Sequence, residues 1–154
     1  MKRDSRLSGV LHVLLHMAER GGPATSADLA KAMNTNPVVV RRVMSGLREQ
    51  GHVRSEKGHG GGWTLAPGWQ KVSLREIYDA LGEPSLLAIG NRTEKPDCLV
   101  EKAVNASLDK TFRQAEALLL ERLGEVTLGA LSADFHARLT AHKGAFNPET
   151  AHAS

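Results

Sequence analysis

Arg41, Ser45 and Arg48 recur along one side of a short segment, with Arg42 at the edge of that side. Val40, Val43, Met44 and Leu47 recur along another at i, i+3, i+4 and i+7. A guanidinium can grip guanine O6 and N7 with two hydrogen bonds or fork onto a phosphate, and a serine hydroxyl can donate to either target. A cationic stripe backed by an apolar one therefore suits a helix that packs on a core and enters the major groove of DNA. Ten residues later comes Lys57-Gly-His59-Gly60-Gly61-Gly62. Glycine lets a backbone adopt positive φ and approach a sugar-phosphate chain closely, so that Lys57 and His59 meet phosphate or the minor groove. Alone, such a run is better read as a loose solvent loop; its place directly after the arginine segment reverses that and favours the contact.

The surrounding elements are those needed to hold these residues. Ser5 to Arg20 carries Leu7, Leu11, Leu14, Leu15 and Ala18 at helical spacing and is stopped by Gly21, Gly22 and Pro23. A short second helix follows, capped by Thr25 or Ser26 and striped by Leu29, Ala30 and Met33, and Asn34 and Thr35 make a tight turn. Asn36 caps the third helix, Pro37 takes its first position, and Gly51 follows its end. Thr35, Asn36, Pro37 and Val38, at the turn and the helix start, join the candidate DNA contacts. His52 to Lys57 and Trp63 to Ala66 form a hairpin around the glycine run. Two helices with a tight turn and a hairpin behind them make a winged helix-turn-helix.

Ser73 to Leu81 forms a fourth helix, ended by Glu83 and Pro84, and Ser85 to Pro96 is an irregular linker or effector loop. Asp97 caps a long helix to about Leu123, whose stripe of Leu108, Phe112, Ala115, Leu119 and Leu123 is best covered by a second copy of the chain. A last helix runs from Thr127 to about Thr140. The expected organisation is mainly α: a winged helix-turn-helix domain over 1–83, an effector loop and helical dimerisation region over 84–142, and a flexible tail over 143–154.

Charge separates along the same division. Residues 1 to 75 hold twelve Lys and Arg against five Asp and Glu, whereas the remainder holds eight against twelve, within a net charge of +3 over 154 residues. A basic half gains affinity for a polyanion by releasing its condensed counterions. The single cysteine, Cys98, excludes an intrachain disulfide framework and fits a reducing compartment. Val10 to Met17 is interrupted by His12 and His16 and resembles no secretory signal, and no run reaches membrane-spanning length, so a cytoplasmic protein is expected.

Enzyme readings find little support. His12 and His16 lie at i, i+4 with Glu19 a turn on, but Val13 stands where a zincin has its glutamate, so ordinary surface histidines are expected and no metal. His59-Gly60-Gly61-Gly62 matches an esterase oxyanion loop without a nucleophile elbow, and the run lacks the Lys-Ser/Thr of a phosphate-binding loop. No histidine is placed to activate Cys98 as a nucleophile.

The stretch TNPVVVRRVMSGLREQGHVRSEKGHGGGWTLA from Thr35 to Ala66, followed by VSLREIYDALGE from Val72 to Glu83, resembles the Rrf-type winged-helix repressors, relatives of the iron-sulfur cluster regulator. Its N-P-V-V-V-R-R opening is similar to the YwnA-like branch, and a weaker likeness extends the match to about residues 5 to 132. The resemblance implies a homodimer clasped through the long helix, bound to a pseudo-palindromic double-stranded operator and released by a redox, thiol-reactive or small-molecule signal. Cluster-bearing members carry three cysteines before the long helix. Here Cys98 stands alone, and four thiolates are the usual ligand set, so no iron-sulfur cluster is expected. Cys98 reads either as a sensor, its thiolate favoured by the helix dipole and opposed by Asp97, or as a small apolar residue at a helix start. The competing reading of the whole is a winged-helix module that pairs with protein and never touches DNA.

Overall fold

The computed structural model describes residues 4–87, 90–91 and 97–145. In chain order its elements are α1 (Arg6–Arg20), α2 (Ser26–Met33), α3 (Pro37–Glu49), β1 (Val53–Glu56), β2 (Gly62–Leu65), α4 (Leu74–Ala80), α5 (Leu99–Glu125) and α6 (Leu128–Ala145), with a 3₁₀ turn at Trp69–Lys71.

Local chemistry sets the helix limits. Thr25, not Ser26, caps α2: its side chain accepts from the Asp28 amide at 3.1 Å, and the Asp28 carboxylate accepts from the Thr25 amide at 3.2 Å. These bonds hold the Asp28 carboxyl below its ordinary pKa. Asn34, in the left-handed region at φ 54°, turns the chain toward α3. The Asn36 side chain accepts from both the Val38 and Val39 amides at 3.1 Å, with Pro37 first in α3. Ser73 and Glu76 close a second reciprocal cap on α4.

The core is formed where α1, α2, α3 and α4 meet the hairpin, around Val10, Leu14, Val40, Met44, Leu47 and Ile77. The face of α1 that enters it carries most of the expected stripe but is centred on its valines and Met17. Val10, Val13, Leu14 and Met17 are buried, Leu7 and Leu11 flank them, and Leu15 turns toward α6. A helix with apolar residues on two sides does not reveal which side the neighbouring helices cover.

The hairpin pairs antiparallel in the register Val53 with Leu65, Arg54 with Thr64, Ser55 with Trp63 and Glu56 with Gly62. A third segment joins it: Ala24, between α1 and α2, exchanges backbone hydrogen bonds with Trp63 at 3.0 and 2.8 Å. The Trp63 indole Nε1 donates to Ser26 Oγ at 3.0 Å.

The C-terminal helices attach through a second bridge, between Ser73 and Thr127. The Leu74 amide donates to Val126 O at 2.9 Å and the Leu128 amide to Val72 O at 2.8 Å. Leu128 is thereby carried into the core formed by the first eighty residues and is 2% exposed. α5 begins at Leu99 with Cys98 at the N-cap, one residue later than the Asp97 cap expected. The extended backbone of Cys98 makes it the last non-helical residue, which leaves Asp97 a position too early to cap the helix. The helix contributes no fully buried residue of its own. Of the expected effector loop, 88–89 and 92–96 lie outside the described residues, as do 146–154 of the expected tail.

Candidate nucleic-acid interface

The recognition helix α3 divides as its pattern demands. Val40, Met44 and Leu47 are fully buried, Val43 is half-buried against them, and Val38, Arg41, Arg42 and Arg48 face out. Thr35 and Asn36 are exposed at the start of the helix, and Pro37 and Ser45 are half-buried. Among the described residues neither Arg41 nor Arg42 has a carboxylate or hydrogen-bond partner, so both guanidinium groups project into solvent with all their donors free.

Arg48 is differently engaged. Its Nη1 donates to Ser55 Oγ on β1 at 3.3 Å, and its guanidinium carbon lies 5.7 Å from the centre of the Trp63 ring. It acts as a strut between recognition helix and hairpin, and its donors are only partly available to DNA. Ser55, which the sequence reading passed over, and Trp63 are the residues that hold it. The alternation of a short strand was the available signal, since Val53 and Ser55 share the face turned to α3.

The glycines of the wing are required for two separate reasons. Gly58 and Gly60, at φ 95° and 80°, flank the exposed tip residue His59 just after the exposed Lys57, and a side chain at either would meet open space. Gly61 and Gly62 are constrained from inside the fold. A Cβ on Gly61 would collide with the Glu56 carbonyl, and one on Gly62, at φ 153°, would lie 2.6 Å from the Ala24 carbonyl. Closure of the hairpin and its seat on Ala24 thus require glycine at these two positions whatever else the wing meets. Gly62 in fact belongs to β2.

Away from this face, the expected dimer stripe is largely open. Leu108 and Leu119 are exposed, and Phe112 and Ala115 are half-buried. Val104, which extends the stripe by one turn, is 50% exposed, and Leu118, to one side of it, is 53% exposed. Leu123 departs from the stripe and packs against the chain's own core beside Val126.

Cys98 is exposed at the N-cap of α5. It makes no side-chain capping bond, yet the nearby Glu101 and Val100 amides draw its thiol below the ordinary pKa. On α1, the rings of His12 and His16 lie 4.6 Å apart, while Glu19 is engaged by His136 of α6 at 2.8 Å. Among the described residues no group of three or more His, Cys, Asp or Glu is placed to hold a metal ion. Nor, among them, is any helix long and apolar enough to cross a membrane.

A family model described as Rrf2, iron-dependent transcriptional regulator, matches residues 3–134. The chain is 32% identical over 127 residues to YwnA of Bacillus subtilis (strain 168), classed among HTH-type transcriptional regulators, with 81% of this chain and 92% of that protein covered. Among solved structures, one from Lactobacillus plantarum, classed among transcriptional regulators, superposes with a TM-score of 0.69 at 22% identity over 93% of this chain and 99% of that one. CymR (YrzC), the global cysteine regulator of B. subtilis, gives 0.58 at 23% identity over 86% and 98%. At these identities the structural likeness speaks for the winged-helix fold.

For an iron-sulfur cluster, which four cysteine thiolates usually hold, the chain supplies a single thiol, that of Cys98.

Proposed function

The chain belongs to the Rrf2 family of transcriptional regulators, and from that premise we propose that it is a cytoplasmic homodimeric repressor that binds a pseudo-palindromic operator. The observation that carries the reading is the pair of guanidinium groups, Arg41 and Arg42, unpartnered among the described residues on an outward face of a well-capped α3, beside a wing whose tip presents Lys57 and His59. Two such helices enter successive major grooves about one helical turn apart, and the wings reach the flanking backbone or minor groove. The exposed apolar side of α5 supports the homodimer, because a long helix with Val104, Leu108, Leu118 and Leu119 in water gains stability when a second copy covers them. Release follows a redox, thiol-reactive or small-molecule signal at the Ser85 to Cys98 segment, with Cys98 the candidate sensor. The protein catalyses no reaction in this role.

Selection of genomic fragments by the purified full-length protein, followed by titration at several salt concentrations, tests the reading. Binding to an inverted repeat with affinity that falls steeply with salt is expected, because Lys and Arg displace counterions from phosphates. Absence of DNA binding, or an affinity indifferent to salt, would instead favour a winged helix that pairs with protein.

A further inference from the structure

We propose that Val38 is a specificity residue that recognises the C5-methyl group of a thymine in each half of the operator. The inference rests on the DNA-binding reading above and narrows what the recognition helix reads.

Val38 is 58% exposed, the most exposed large apolar side chain among the described residues before Leu99. It stands in the first turn of α3, three residues before Arg41 and seven before Ser45, and so lies on the same side of the helix as both. The first turn of a recognition helix is the part that meets base edges. Its position therefore puts an apolar group where polar readout is the rule.

What Val38 can offer there is limited by the cap. Its amide already donates to the Asn36 side chain at 3.1 Å, so that N–H is not free to bind a phosphate or a base. The two Cγ methyl groups are left as its contact surface. A β-branched side chain in a helix holds essentially one χ1 rotamer, so those methyls are fixed in direction before DNA arrives. On the major-groove edges of the four bases, the thymine C5-methyl is the apolar feature, and the other groups there are hydrogen-bond donors and acceptors. A thymine methyl satisfies Val38 without leaving a polar group unpaired, whereas a cytosine or purine edge would be desolvated against it with nothing returned.

Replacing thymine with deoxyuridine removes that methyl and leaves every hydrogen-bonding group in place, which makes it the direct probe. Full-length protein is first titrated against its selected operator at two salt concentrations, then against the same duplex carrying one deoxyuridine at a time. One thymine position per half-site is expected at which uracil weakens wild-type binding about four-fold, the order of one apolar carbon's transfer free energy. The Val38→Ala variant, substituted at an exposed site, should bind the unmodified operator more weakly and be indifferent to uracil at that position. Val38→Thr, which preserves the shape but replaces one methyl with hydroxyl, should fall between the two.

Salt-sensitive operator binding in which no thymine responds to uracil would overturn the inference and leave the DNA-binding reading standing. So would a uracil effect of equal size in wild type and Val38→Ala. If no fragment is bound in the first titration, the inference falls together with the reading it rests on.

Discussion

Up to Tyr78 the chain turns apolar residues inward: Val10, Val13, Leu14, Val40, Met44, Leu47, Val53 and Ile77 are each at most 2% exposed. Beyond Tyr78 only Leu128 is fully buried among the described residues, while Leu99, Val100, Val104, Leu108, Leu118 and Leu119 stand in water on α5. The first region holds nearly all of the buried core. The second contains a helix whose formation is supported by length and local propensity but whose apolar side is only partly covered by the described residues. The contrast teaches that the DNA-facing unit and the long helix answer different questions, one about what is recognised and the other about what the chain joins.

The sharpest way to break that contrast is to charge the open side of α5. Replacing both Leu108 and Leu119 with Asp should convert a dimer to a monomer in analytical ultracentrifugation, since each buried leucine contributes about 1.5–3 kcal/mol and a two-fold interface uses both copies. The winged-helix unfolding transition should survive. A variant that still sediments as a dimer would put the interface elsewhere.

Leu128→Ala probes the most deeply buried of the residues by which the second region joins the first region's core, Leu123, Val126 and Leu131 being only partly buried there. It should cost about 2–5 kcal/mol in urea unfolding, the range for a leucine removed from a well-packed interior. A loss below about 1 kcal/mol would mean that the α5–α6 junction is only loosely seated.

Arg42→Ala should leave the unfolding midpoint unchanged and weaken operator binding, by about 1–3 kcal/mol with relaxed sequence preference if the guanidinium reads a base. A loss equal on all sequences assigns it to phosphate.

The smallest effect concerns Cys98. The Glu101 and Val100 amides favour its thiolate, so its deprotonation is shifted to lower pH. The rate of alkylation by iodoacetamide should rise with pH through a midpoint below that of an ordinary cysteine thiol, and a midpoint at or above the ordinary value would remove the helix start as an activating environment.

The parts of this molecule that could be read in advance are those with local causes. Asn36, Pro37 and Gly51 mark the ends of α3 whatever surrounds them, because capping and φ restriction act within a few residues. The split of Val40, Met44 and Leu47 from Arg41 and Arg42 follows from helical period alone. Long-range partners were not legible in the same way. Nothing near Gly62 indicates that Ala24, thirty-eight positions earlier, lies against it, and nothing near Leu128 indicates its seat in the first region's core. Arg48 looked like Arg41 in sequence, and only the approach of Ser55 and Trp63 separates their roles. The packing of Leu123 on the core was hidden for the same cause, since a stripe does not say where one neighbour ends and the next begins.

The bridge between Ser73 and Thr127 gives α5 a mechanical character. The 27 residues of the helix extend about 40 Å from a C-terminal end pinned by the Val126 and Leu128 hydrogen bonds to the end that carries Cys98. In such a lever a tilt of about 5° at the pin displaces the far end by about 3.5 Å, so a modest push at the tip corresponds to a very small rotation at the fulcrum. A stimulus arriving far from the operator would thus be geared down into a fine adjustment of the winged-helix unit's attitude.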